Sequence, residues 1–255
     1  MSTVFIVGNK FRDFSSNDGV FTVDDFAEMA RTRNFERIAP GSRLVAGQGV
    51  REAELFAIHD QSRHALSAHG IDLPPVAQRG VRAGRLLTHK HRLENSIIAH
   101  PERIDEHCFE AALLLDERSE LMTDHQTGQH IQGMVLIEAA RQLFLAVTEA
   151  YFIDHSAQDR YYFVIHSVNV QFQSFVFPLG ATLRYEILSK AIENPARMRF
   201  DVRVSVMQGG ACSTQIGFAF TAFHAPRIEA IEQRQAQALL LAERQAMTPE
   251  LAAAA

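Results

Sequence analysis

The stretch whose reading decides the fold is DHQTGQHIQGMVLIEAARQ, residues 124–142. From Gly133 onward, Val135, Leu136, Ala139, Ala140, Leu143 and Val147 recur at spacings of three and four, which predicts a helix from about Gly133 to Phe152. That helix is apolar on most of its circumference, so other structure has to wrap it. Yet Glu138, Arg141 and Gln142 interrupt the apolar surface within about one turn. A buried carboxylate must be paired or put to use, because an unpaired charge away from water is strongly disfavoured. Glu138 therefore either pairs structurally with Arg141, three residues on, or lines a site. His125 and His130 sit just before the helix, where a histidine can serve as acid or base near neutral pH or be a solvated loop residue.

What surrounds this helix reads as sheet. YYFVIHSVNVQFQSFVFPLG (161–180) alternates apolar and polar residues, and ATLRYEILSKAIENP (181–195) follows with a turn at Asn194-Pro195. ARMRFDVRVSVM, the turn QGG and ACSTQIGFAFTAF form a hairpin over 196–223. Upstream, ENSIIAHPERID and HCFEAALLLD read as two further strands with a turn near HPERID. The plan is α+β, one long buried helix with an antiparallel sheet curled around it.

The first 75 residues have a different rhythm. TVFIVGNKF and SRLVAGQGV read as short strands. TVDDFAEMARTRNF reads as a helix capped by Thr22, and REAELFAIHDQSRHALSAHG as a longer helix ended by Gly70 and then by Pro74-Pro75. GQGVRE carries only GxG, so it reads as a strand-to-helix turn rather than a phosphate loop. The expected organisation is a small α/β unit over 1–75 in the order strand, helix, strand, helix, then a linker at 76–85. The main domain follows at 86–226 and a helical tail at 227–255.

A net charge of −5 with scattered Lys and Arg disfavours a nucleic-acid partner. No run of about 18 apolar residues predicts a membrane span, and the short VFIV stretch near the start does not make a signal peptide. Cys108 and Cys212 lack CxxC spacing and read as small apolar residues in a reducing, cytoplasmic setting. His89 and His91 form an HxH without a convincing third ligand, so neither a metal nor a cofactor is expected. His59, His64 and His69 recur every five residues, spread around a helix, and read as solvated.

GMVLIEAARQ resembles the central helix of the acyl-carrier-protein dehydratases, and VNVQFQSFVFPLGATLRYEI resembles their aromatic strand running into a Pro-x-Gly turn. EAARQ, with HKHRLEN upstream and DHQTG ahead of the helix, most resembles the A-factor biosynthesis (AfsA-type) hotdog family over roughly residues 86–224. Two departures stand out. The dehydratases' HFPG lead-in is replaced by His125-Gln126-Thr127-Gly128, and a family that usually holds two hotdog repeats is represented here by one.

The resemblance implies a hotdog fold, and a single repeat implies a homodimer. It also implies chemistry on an acyl thioester of acyl carrier protein or coenzyme A. A β-ketoacyl group would move to a hydroxyl of a small phosphorylated triose, on the way to butenolide or butyrolactone signals. His125 would be the acid–base group and Glu138 the carboxylate facing the other subunit's histidine. The free amides at the helix start, Gly133 and Met134, would meet the thioester carbonyl. Arg141 suits a phosphate, and Gln142 and His130 would touch substrate. Rival readings on the same scaffold are a 3-hydroxyacyl-thioester dehydratase, a thioesterase, and a non-catalytic acyl-binding or scaffold protein.

Overall fold

The computed structural model describes residues 2–71, 80–123, 127–154 and 161–252. His125, residues 76–79 of the expected linker and the side chains of Glu52, Leu55, His59 and 248–252 lie outside the described residues. The expected long helix is α4, Gly133–Tyr151. Against it lies a six-stranded antiparallel sheet in the order β4-β5-β7-β8-β9-β6. The strands are β4 (Glu102–Arg103), β5 (Cys108–Ala112), β6 (Tyr161–Phe172), β7 (Thr182–Ala191), β8 (Arg197–Gln208) and β9 (Ala211–His224).

Residues of period two supply the sheet's inner face: Leu183 and Tyr185 on β7, Phe200, Val202 and Val204 on β8, and Ile216, Phe218 and Phe220 on β9 are all buried. Facing them, Ala139, Ala140, Leu143, Phe144, Ala146 and Val147 of α4 are fully buried. The alanines let helix and sheet approach closely, and Phe144 stacks on Phe220 with ring centroids 4.3 Å apart. Gly209 and Gly210 both adopt positive φ between β8 and β9, as a two-residue turn matching the strand twist requires.

The sequence reading overstates strand near residues 94–105. Ile98 and Ala99 make only isolated bridges, to Leu113 and Arg82, and β4 has two residues. Pro101 has no amide to donate, and the turn falls later, where the Asp105 carboxylate accepts from the amides of His107 (2.7 Å) and Cys108 (2.8 Å).

One buried group in the sheet lacks a partner. The Tyr185 hydroxyl is fully buried and makes no hydrogen bond among the described residues, and burial pushes its pKa up. An unpaired buried hydroxyl loses water without replacement. Tyr185→Phe is therefore expected to raise the unfolding free energy by about 1 kcal/mol in urea titrations; a fall would mean that the hydroxyl has a partner.

The N-terminal unit contains β1 (Thr3–Val7), β2 (Val20–Thr22), α1 (Val23–Thr32), β3 (Arg43–Ala46) and α2 (Glu52–Ala68). Its three strands are parallel, in the order β2-β1-β3. The middle strand in sequence, β2, was not expected, because three residues are too few to show a period. Thr22 caps α1 through a reciprocal box with Asp25.

This unit shares the main core: Val7, Phe11 and Val20 pack with residues of α4 and the large sheet. Gln48 is the principal tie. Its side-chain amide donates to the carbonyls of Leu113 (2.9 Å) and Leu179 (3.1 Å), and its oxygen accepts from the Leu115 amide (2.8 Å). Farther along, the Phe14 amide donates to the Gly128 carbonyl (3.0 Å), and Phe14 stacks on Phe177 at 5.6 Å. Residues 80–85 begin the short helix α3 (Arg85–Thr88); just before it, Ala83 is buried and its amide donates to Ile98. The tail forms α5 (Ala225–Ala252). Among the described residues, no helix is long and apolar enough to cross a membrane.

Candidate functional site

Glu138 lies in the second turn of α4 with its side chain 15 % exposed. Arg141 reaches it with Nε on Oε2 at 2.6 Å and Nη2 on Oε1 at 2.9 Å. The expected pair with Arg141 is therefore present, as helical i, i+3 spacing allows. The structure adds a second cation that the sequence reading did not weigh: Lys90 Nζ lies 2.6 Å from Glu138 Oε1. Gln142 Nε2 donates to the same oxygen at 3.0 Å. Among the described residues, Oε1 thus receives three donors and Oε2 only one, from Arg141. A carboxylate oxygen offers about two lone-pair positions. Oε1 is saturated by the protein, and Oε2 keeps room for one more donor.

The electrostatics follow from this packing. Burial penalises the charged carboxylate, but the hydrogen bonds from Arg141 and Lys90 outweigh it and hold the Glu138 carboxyl below the usual carboxylate range. Glu138 therefore stays an anion at neutral pH and is better suited to orient a donor than to give up a proton.

Gln142 is fully buried and committed to the protein on every side. Besides Glu138, its amide donates to the Asn95 carbonyl (2.8 Å), and its oxygen accepts from the Ile97 amide (2.8 Å). This differs from the expected substrate contact. The glutamine ties α4 to residues 95–97 and orients Glu138, because a side chain with no exposed face has nothing left for a ligand.

The start of α4 is partly covered, with Gln132 and Gly133 half-buried. Gln132 occupies the cap position without a side-chain capping bond, and Met134 is 68 % exposed. The first amides of a helix have no intrahelical acceptor. A Cβ at Gly133 would sit 2.7 Å from the outer edge of the Phe172 ring, so the glycine lets that exposed side chain lie against the helix start. His130 packs on Phe175 with centroids 4.6 Å apart, and its Nδ1 lies 3.2 Å from Thr127 Oγ1. Along α4, Gly133 and Glu138 are five residues apart, about 7.5 Å of axial rise, the scale of an acyl thioester's reacting end.

The structure brings Glu138, Arg141 and Gln142 together and adds Lys90; Gly133 and Met134 begin the helix, and His130, three residues before it, packs on Phe175 instead. Lys90 belongs to HKHRLEN, where attention goes to the two histidines. They do not act as an HxH: His89 Nε2 instead lies 2.7 Å from Glu149 Oε1. Among the described residues, no group of three or more His, Cys, Asp or Glu could hold a metal ion.

Comparison with known proteins finds one family model, the A-factor biosynthesis hotdog domain, matching residues 72–224. A search of curated proteins finds no match. Among solved structures, a thioesterase from Haemophilus influenzae is 11 % identical, with 55 % of this chain and 87 % of that chain covered at a TM-score of 0.39. A mutant thioesterase from Pseudomonas aeruginosa is 15 % identical, covering 69 % of this chain and 96 % of that chain at a TM-score of 0.36. A hypothetical thioesterase with coenzyme A from Streptococcus pneumoniae is 11 % identical, covering 49 % and 84 % at a TM-score of 0.35.

Proposed function

This chain belongs to the A-factor biosynthesis (AfsA) hotdog family, and from that premise we propose that it is an acyltransferase acting on a β-ketoacyl thioester. The acyl donor is carried on acyl carrier protein or coenzyme A, and the acceptor is a hydroxyl of a small phosphorylated triose. In this reaction the acyl C–S bond breaks, an ester C–O bond forms, and the acceptor's hydroxyl proton ends on the leaving thiolate.

The observation that carries the reading is the Oε2 of an anionic Glu138, which has one donor among the described residues and lies beside two cations, about 7.5 Å along the helix from its first amides. The amides suit the thioester carbonyl as negative charge develops on it. Oε2 suits the acceptor hydroxyl, and the Arg141 fork suits a phosphate. His125 is the proposed acid–base group. Gln142 serves by holding Glu138, while His130 and Met134 border the acyl end.

The assay uses a β-ketoacyl thioester with and without dihydroxyacetone phosphate, with products followed by mass spectrometry. A phosphotriose ester formed only with the acceptor is the expected result. Free acid formed regardless of acceptor would make the protein a thioesterase. An enoyl product from a 3-hydroxyacyl thioester would make it a dehydratase, and bound but unturned thioester an acyl-binding protein.

A second copy of the chain is the proposed partner. Among the described residues strand β6 pairs only with β9, so it is an edge strand, and its Tyr162, Ile165, Val168 and Phe172 are exposed. A long apolar edge of this kind is a template for another strand. Sedimentation equilibrium at micromolar concentration is expected to give a dimer or larger; a single species at 28.5 kDa would contradict the pairing.

A further inference from the structure

Helix α3 ends at Thr88, and the next residue, His89, adopts φ +54 in the left-handed region. A residue with a Cβ is disfavoured in that region, so the surroundings must hold it there. Two contacts do so. His89 Nε2 lies 2.7 Å from Glu149 Oε1, and the His89 ring meets the edge of Phe163 at 5.3 Å. Glu149 is itself a carboxylate only 9 % exposed near the far end of α4. Its burial serves no part of the site described above.

Glu149 and Glu138 are eleven residues apart on one helix, about 16 Å along the axis. Eleven residues are close to three full turns, so the two carboxylates share one stripe of α4. His89 and Lys90 are consecutive, and they reach along that stripe in opposite directions, one to each carboxylate. A single backbone segment is thereby pinned to the central helix at two points.

We propose that Lys90 is a positioning residue for Glu138 and that the His89–Glu149 pair is the clamp that places it; this rests on Glu138 being the working carboxylate. Arg141 belongs to α4 and moves with Glu138, so it cannot locate the carboxylate relative to the rest of the site. Lys90 comes from a separate element and can. A lysine side chain is long and flexible, so fixing its backbone narrows where its ammonium can reach. Lys90 adds a third donor to the Oε1 that Arg141 and Gln142 already occupy, so it holds that oxygen towards residues 89–90 and leaves the open position on Oε2. Two cations against one carboxylate also leave the cluster net positive, which favours an anionic group of the substrate or an oxyanion forming on it.

The test is carboxyl-carbon NMR of the full-length protein carrying carbon-13 at glutamate Cδ, with the Glu138 signal assigned by its loss in Glu138→Gln. Lys90→Met is expected to move the Glu138 titration midpoint upward, and Lys90→Arg to return it towards the wild-type position. His89→Ala is expected to raise it as well, although His89 does not touch Glu138. Glu149→Gln, which keeps the volume, carries the same test should the His89 variant fail to fold. An unmoved midpoint in Lys90→Met would overturn the positioning role, and an unmoved midpoint in both clamp variants would overturn the clamp.

On acyl-thioester turnover, Lys90→Met is expected to lower kcat about tenfold, the scale of losing an orienting partner, with KM little changed. A rise in KM at constant kcat would instead make Lys90 a substrate-binding group. If the wild-type protein turns over no thioester while the midpoints move as stated, the proposed function fails and the positioning role stands.

Discussion

Glu138→Gln is expected to lower turnover of the acyl thioester by about a hundredfold or more, the scale of a lost acid–base partner. The substitution keeps the side-chain volume and most of the hydrogen-bonding capacity but removes the anion that Arg141 and Lys90 surround. The same change has a thermodynamic signature with a definite sign. The Glu138 carboxyl is held below the ordinary range in the folded protein, so the folded state binds its proton less readily than the unfolded chain does. The stability this contributes is present in full above the unfolded-chain pKa, about 4.3, and is lost as pH falls through the folded value. Denaturant titrations should therefore show Glu138→Gln weaker than wild type at pH 7, with the gap closing in acid. A stability loss with an unchanged rate would reduce Glu138 to a structural partner of its two cations. His125→Ala is expected to abolish turnover without unfolding the protein. Mixed with Glu138→Gln, it should regain activity if the two residues act from different chains of a dimer, and none if each site is built from one chain.

Gln48→Ala is expected to cost about 3–5 kcal/mol of unfolding free energy, one of the largest effects a single substitution produces. Gln48 is 2 % exposed and has the only side chain that meets Leu113, Leu115 and Leu179 together among the described residues. Its removal leaves the buried Leu115 amide and Leu113 carbonyl, and the half-buried Leu179 carbonyl, without this partner, and each buried unsatisfied group costs about 1–3 kcal/mol. Gln48→Glu should be at least as damaging, because a carboxylate would then face the Leu113 and Leu179 carbonyls with no proton to offer. Thermal melts of both variants against wild type check the prediction. A loss under about 1 kcal/mol would mean that the N-terminal unit is held by its apolar contacts, such as Val7, Phe11 and Val20 in the shared core, and not by this glutamine.

The helix at Gly133–Tyr151, the long strands after it and the Thr22 cap were legible from residue patterns, because each depends on neighbours within a few positions. Apolar spacing of three and four specifies a helix, and alternation specifies a strand, whatever lies around them. The Glu138–Arg141 pair was equally legible, since three residues along a helix bring two side chains together without help. Strand β2 and the broken segment at Ile97–Arg103 were not, because so few residues carry no measurable period.

Family membership and the hotdog plan were thus within reach of the sequence, as was the need for Glu138 to have a partner. The tertiary structure alone decided which partners share that carboxylate. Lys90 lies 48 positions before Glu138, and no periodicity links them; the contact exists because α3 is laid along α4 and held there by His89 and Glu149. Gln142 changed role for the same reason. From sequence it is a polar residue on a helix, available to a ligand, whereas packing residues 95–97 against that face satisfies its amide and excludes water. The docking of the N-terminal unit through Gln48 is a third case, made by groups 65 to 131 positions away. Local pattern sets which elements form, because backbone geometry repeats over a few residues. Which side chains saturate which oxygen depends on contacts between distant segments, and these appear only when the elements pack.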